Sequence, residues 1–169
     1  MQDVPILDSV LREYLAIFKI NVVWYHDLKK YASIQELFKE HPYDALILYM
    51  EYENKNVEVT GHYTVLLKRT EEKYEFFESN QGAVPPLVQD LIKRSPRGTH
   101  VDFIEQQLQK LKTNTCGRWC IDRILKMKMT CDEYYEYYDY IKKKYKNLDT
   151  FIIKTIPISK AANDQNFGE

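Results

Sequence analysis

The sequence predicts an α+β fold, a small and mostly antiparallel mixed sheet packed by helices. Three observations predict it. Apolar residues recur at helical spacing near the start of the chain and again in its second half. Two strand-like segments joined by a short polar turn lie in the middle. A Gly/Pro-rich break then separates that hairpin from the helices that follow.

Taken in order, "ILDSVLREYLAIFKI" has the helical period, with Asp8 or Ser9 placed to cap it. "SIQELFKEHP" is a second helix, with Ser33 and Glu36 as a capping box and Pro42 as its stop. "YDALILYMEYE" is a short apolar run without helical period and reads as a buried strand. "VEVTGHYTVLLKR" and "KYEFFES" flank "TEE" and are rich in β-branched and aromatic residues, as an antiparallel hairpin requires. "NQGAVPP" breaks the chain.

"PLVQDLIKRS" is a short helix, "THVDFI" a strand and "EQQLQKLKTNT" a polar approach to the next helix, which starts at Cys116. On that helix Gly117, Cys120, Ile121, Ile124 and Leu125 are expected on a buried face, and Arg118, Asp122, Arg123 and Lys126 on a solvated one. Thr130 and Glu133 form a second capping box, opening "CDEYYEYYDYIKKKYKN". Acids early and lysines late in that helix complement its dipole. "LDTFIIKTIPI" reads as a last strand. Residues 1–158 are expected to form one domain and 159–169 a flexible tail.

Composition narrows the class. The 169 residues are 44% hydrophobic and 29% charged, a soluble globular balance. The longest apolar run, "ALILYM", is far too short to span a bilayer, and "MQDVPILDSV" does not read as a signal peptide. Three cysteines without such a signal read as reduced thiols in an intracellular protein. Net charge is −1, unevenly spread: residues 1–85 hold 9 Lys/Arg against 14 Asp/Glu, and residues 86–147 hold 13 against 8. The positive half permits contact with nucleic acid or an acidic partner, although a solvated charged face is the commoner meaning. The 14 tyrosines suit a groove for extended peptide, and equally the boundary of a core.

The chemistry centres on "TNTCGRWCIDRIL". It places Cys116 at a helix N-terminus, where unpaired N–H groups and the dipole favour a thiolate. Gly117 leaves room for a substrate backbone. The plain alternative is a small buried thiol. A nucleophile needs a base. Among His26, His41, His62 and His100, only His62, in "TGHYTVLL" at the start of a strand, has a rigid mount. Hairpin geometry brings Glu78, at the end of "KYEFFES", to the same end of the neighbouring strand, where a carboxylate can orient His62. Asn80 is a rival for that role. A side-chain amide from Gln106, Gln107 or Gln109 could donate to an oxyanion, and Gln109 is the first choice. Cys116 and Cys120 have no CxxC spacing, so no metal is expected. Cys120 and Cys131 have no expected role.

The ordered set His62, Glu78, Gln109 and Cys116–Gly117 resembles the adenain-like cysteine proteases, a group with members in adenoviruses, virophages and large DNA viruses, related to the SUMO proteases. Three details carry the likeness. An aromatic follows the histidine, although it is Tyr63 here and most often Trp in that family. The acid follows Phe76–Phe77. Gln109 and Cys116 are separated by six residues. The likeness spans roughly residues 45–130.

It implies a papain-like, adenain-like fold with the nucleophile at the N-terminus of a buried helix. It also implies a viral maturation endopeptidase that cuts capsid or core precursor polypeptides at Gly-containing sites. In that scheme Cys116 attacks, His62 shuttles the proton, Glu78 orients His62, and Gln109 with the Cys116 N–H holds the oxyanion. No cofactor is implied beyond activation by DNA or a peptide, and no membrane. A monomer in the virion and host cytoplasm or virus factory is expected. The alternatives are a SUMO- or ubiquitin-like-protein protease and a non-catalytic binding protein that keeps the fold.

Overall fold

The structure, a computed structural model, describes residues 20–53, 59–80, 82–109 and 115–156. It is α+β. Among the described residues five strands, β1 (Asn21–Trp24), β2 (Ala45–Glu53), β3 (Val59–Lys68), β4 (Lys73–Phe77) and β5 (His100–Asp102), form one sheet in that spatial order. Among the described residues a 3-10 turn (Tyr25–Lys30) and five α-helices pack on it: α1 (Ile34–Glu40), α2 (Pro86–Arg94), α3 (Cys116–Leu125), α4 (Cys131–Tyr145) and α5 (Leu148–Thr155).

The sheet is less antiparallel than expected. β2, β3 and β4 are antiparallel at its centre, but both edges, β1 on β2 and β5 on β4, are parallel. The hairpin forms as read. Its turn closes with Arg69 N–H on Lys73 O at 2.8 Å, and the Thr70 hydroxyl accepts from the Glu72 and Lys73 N–H groups.

Helices cover both faces, which explains the unbroken apolar run in β2, since a strand buried on both sides has no polar face. Ala45, Ile47, Val65, Leu67 and Phe77 meet α3, α4 and α5 on one face. Leu46, Leu48, Leu66, Tyr74 and Phe76 meet the 3-10 turn, α1 and α2 on the other.

Local signals account for the helix ends. Ser33 accepts from Glu36 N–H at 3.1 Å, and Thr130 and Glu133 complete a reciprocal capping box. Pro86 opens α2, where its missing N–H costs nothing.

Two expectations fail, and one strand has no counterpart in the sequence reading. The expected last strand is α5. Asn147 caps it by accepting from Asp149 N–H at 3.0 Å, and Leu148 and Ile152 lie on its buried side at helical spacing. The β-branched residues of "TFIIKT" hid that period. The strand β1 falls in "NVVW", too short to carry a pattern of its own and stabilised by pairing with β2. The two-faced reading of α3 is also wrong. Arg118, Asp122 and Arg123 are buried, whereas Leu125 is 46% exposed. Each buried charge has partners, as burial demands. Arg123 makes a two-pronged contact with Glu75 at 2.8 and 3.0 Å, and Asp122 accepts from the hydroxyls of Tyr134 and Tyr138 and from Lys126. The expected first helix, apart from Ile20, and the expected tail lie outside the described residues.

Candidate active site

β3 carries the first functional side chain. Gly61, just before His62, lies under the Tyr49 ring, and a β-carbon there would stand 2.5 to 2.9 Å from that ring's atoms. The next residue, Tyr63, is buried and packs on Tyr49 with ring centroids 4.8 Å apart. His62 is therefore held between two positions that cannot move independently of β2.

β4 delivers the second. The register Val65↔Phe77 puts Glu78, one residue past the strand, across from Thr64, with His62 on the diagonal. His62 Nε2 lies 2.7 and 2.8 Å from the two Glu78 oxygens. Asn80 N–H donates to Glu78 Oε1 at 2.9 Å, fixing the carboxylate from behind. Asn80 thus contributes its backbone, and Glu78 supplies the contact to the ring. Beside the pair opens a cavity of about 240 Å³, lined by Met50, Phe76, Ala83 and Pro85 together with His62, Glu78 and Asn80.

α3 delivers the third. Cys116 is its first residue, 3% exposed, and it interacts with His62 closely enough to raise the pKa of the ring. With Nε2 occupied by Glu78, Nδ1 is the ring nitrogen left for a second partner. Thr115 occupies the N-cap position without a side-chain capping bond. The first-turn N–H groups therefore receive no capping oxygen from that side chain.

The electrostatics follow from this sandwich. Burial by itself pulls the His62 pKa down. The hydrogen bonds to Cys116 and Glu78, and the negative charge of each partner, outweigh burial and raise it to about 11. The other two thiols differ. Cys120, fully buried one turn along α3, has its pKa pushed well up by burial. Burial, helped by the Glu75 charge, pushes Cys131 up to about 12. No disulfide joins any of the three.

The glutamines separate cleanly. Gln106 donates to Asp139 on α4 at 3.0 Å in an exposed setting, and Gln107 forms a backbone bridge to Asn80. Gln109 is 2% exposed. Its backbone N–H donates to Ser79 O at 2.8 Å, and its side-chain oxygen accepts from Ser79 Oγ at 2.9 Å. Because Ser79 is next to Glu78, Gln109 is anchored to the segment that holds His62, with its amide orientation fixed by the oxygen end. Sequence reasoning did not find Ser79, Thr115 or Asp149; only their adjacency to Glu78, Cys116 and the Asn147 cap marks them.

The remaining histidines are elsewhere. His41 meets Asn21 and Tyr31, His26 stacks edge-on against Tyr25, and His100 pairs with Asp102 on the surface. Among the described residues no group of three or more His, Cys, Asp or Glu is placed to hold a metal ion. No helix among them is long and apolar enough to cross a membrane.

The chain matches no protein-family profile. It is similar to "Uncharacterized protein V9" of Sputnik virophage, 28% identical over 158 residues that cover 83% of this chain and 87% of the relative.

Proposed function

We propose that this chain is a cysteine endopeptidase with a papain-like, adenain-like fold that matures viral capsid or core precursor proteins at Gly-containing sites. The observation that carries the reading is the His62 ring, hydrogen-bonded to both oxygens of Glu78 and with its pKa raised by Cys116 as well as by Glu78. The pairing of a sulfur nucleophile, a base and an orienting carboxylate is what acyl transfer through a thioester needs. Similarity to a virophage protein agrees with the viral setting, in virion or host cytoplasm.

In the proposed reaction His62, whose Nε2–H donates to Glu78, takes the Cys116 proton at Nδ1. The sulfur adds to the scissile carbonyl. The oxyanion accepts from the Cys116 N–H and the Gln109 side-chain amide. His62 Nδ1–H passes its proton to the leaving amine as the C–N bond breaks. Water then attacks the thioester, giving its proton to His62, and the carboxylic product leaves with Cys116 restored. No redox partner or metal enters this scheme. The 13 basic residues within 86–147 make DNA a reasonable activator to include in the assay.

The test incubates the full chain with a peptide library containing Gly-Gly and Gly-X-Gly, and with a ubiquitin-like fusion, each with and without DNA. Mass spectrometry reads the cut sites. Cleavage of Gly-containing peptides that vanishes in Cys116→Ala and His62→Ala supports the proposal. Cleavage confined to the ubiquitin-like fusion would move the chain to that class of protease. Cleavage that persists in Cys116→Ala, or none under any condition, overturns the reading.

A further inference from the structure

Thr115 lies immediately before Cys116, at φ −95° and ψ 2°. A threonine at an N-cap ordinarily turns its hydroxyl onto its own helix. This one instead donates to Asp149 Oδ1, 34 residues later. Asp149 is buried, in the first turn of α5, and that turn is fixed by the Asn147 side chain, which accepts from the N–H groups of Asp149 and Thr150. At the other end of α5 the Ile156 carbonyl accepts from Arg118 Nε at 3.3 Å. Arg118 lies in the first turn of α3 and is itself buried. Both ends of α5 therefore grip the turn that presents Cys116. Leu148, Ile152 and Ile156 tie the same helix into the core that contains Cys116 and Trp119.

Resting on the peptidase reading, we propose that Asp149 is a positioning residue for Cys116, acting through the Thr115 hydroxyl, with α5 as the brace for the nucleophile. The Thr115–Asp149 bond fixes the peptide that joins Thr115 to Cys116. That peptide carries the Cys116 N–H meant for the oxyanion, and its orientation sets where Sγ lies relative to His62. Arg118 and the Ile156 carbonyl hold the following turn against rotation. A shift of about 1 Å in a reacting group costs on the order of a hundredfold in rate, so a brace of this kind is read out in the reactivity of Cys116.

The experiment measures the rate of Cys116 alkylation by iodoacetamide as a function of pH, with thermal melts to confirm folding. It uses the wild type, Thr115→Ser, Thr115→Val, Asp149→Asn, Asp149→Ala and the Thr115→Val/Asp149→Ala double variant. Thr115→Val is near-isosteric, so it stays informative even if Asp149→Ala unfolds. We expect Thr115→Val and Asp149→Ala each to slow Cys116 by roughly ten- to a hundredfold and to change its pH profile. Thr115→Ser should keep most of the rate, and the double variant should be no slower than the worse single one, because both remove one contact. Unchanged Cys116 rates in Thr115→Val, or fully additive effects, overturn the proposal while leaving the peptidase reading intact. A wild-type Cys116 that reacts no faster than Cys131 overturns both.

Discussion

Two histidine–carboxylate pairs sit on this sheet and share almost the same contact distance. His62 lies 2.7 Å from Glu78 and His100 lies 2.6 Å from Asp102. Their surroundings differ. The side chains of the first pair are 10% and 13% exposed, and those of the second 63% and 56%. The Glu78 carboxylate also accepts from Asn80 N–H, and Cys116 helps raise the His62 pKa. His100 and Asp102 are two residues apart on the edge strand β5, where water screens the pair. The lesson is that a short His–acid contact does not make a site. A third group, a fixed carboxylate and exclusion of water turn the same contact into a candidate proton shuttle.

The largest expected difference is in activity. His62→Ala should lower peptide cleavage by roughly 10⁴-fold or more, as loss of a triad member does. His100→Ala should leave kcat/KM within about twofold of wild type and change stability by about 0.5 kcal/mol or less. Equal losses in the two variants would erase the distinction drawn between the pairs.

Next comes the carboxylate. Glu78→Gln keeps the shape but loses the charge and admits the wrong ring tautomer, so kcat should fall by roughly 10²- to 10⁴-fold with little change in KM. Asp102→Asn should do nothing measurable in the same assay.

The oxyanion arm should be weaker. Gln109→Ala should cost roughly a hundredfold in kcat. Ser79→Ala, which releases the Gln109 oxygen without removing the amide, should cost about tenfold if the orientation of that amide matters. Gln106→Ala, at the half-buried glutamine bound to Asp139, is the control and should be silent.

The smallest effect is on stability against pH. The folded-state pKa of His62 is raised above the ordinary value near 6.5. The stabilisation from its protonated form is therefore fully present below about pH 6.5 and is lost as pH rises through about 11. Urea midpoints should decline with pH across that window in the wild type, and decline less in His62→Gln. The matching curve for His100→Gln should follow the wild type.

Much of this arrangement is legible in the sequence, and the reasons it is or is not are physical. The hairpin announces itself by composition and a short polar turn, and hairpin geometry alone brings His62 and Glu78 to one end of adjacent strands. A helix starting at Cys116 is legible because apolar residues recur at helical spacing after it, even though its charged face proves to be buried. What escapes is whatever depends on contacts distant in sequence. The buried charges of α3 look like a solvated face until the tyrosines of α4 and Glu75 of β4 are placed beside them. The helix α5 hides behind a β-branched run, because its Asn147 cap and its docking against α3 outweigh intrinsic propensity. Which of Glu78 and Asn80 reaches Nε2, and which glutamine is buried against Ser79, depend on tertiary placement. Neither is a property of local pattern.

The central claim is that His62 and Glu78 exist to activate Cys116, and competitive labelling of the three cysteines tests it most directly. The wild type, His62→Ala and His100→Ala are exposed to limiting iodoacetamide at pH 6.5, and mass spectrometry reads the site of modification. The account predicts that Cys116 is modified well before Cys131 and Cys120, whose thiols burial keeps protonated. It also predicts that His62→Ala abolishes that lead and His100→Ala preserves it. A Cys116 that reacts no faster than Cys131, or whose lead survives His62→Ala, would contradict the account.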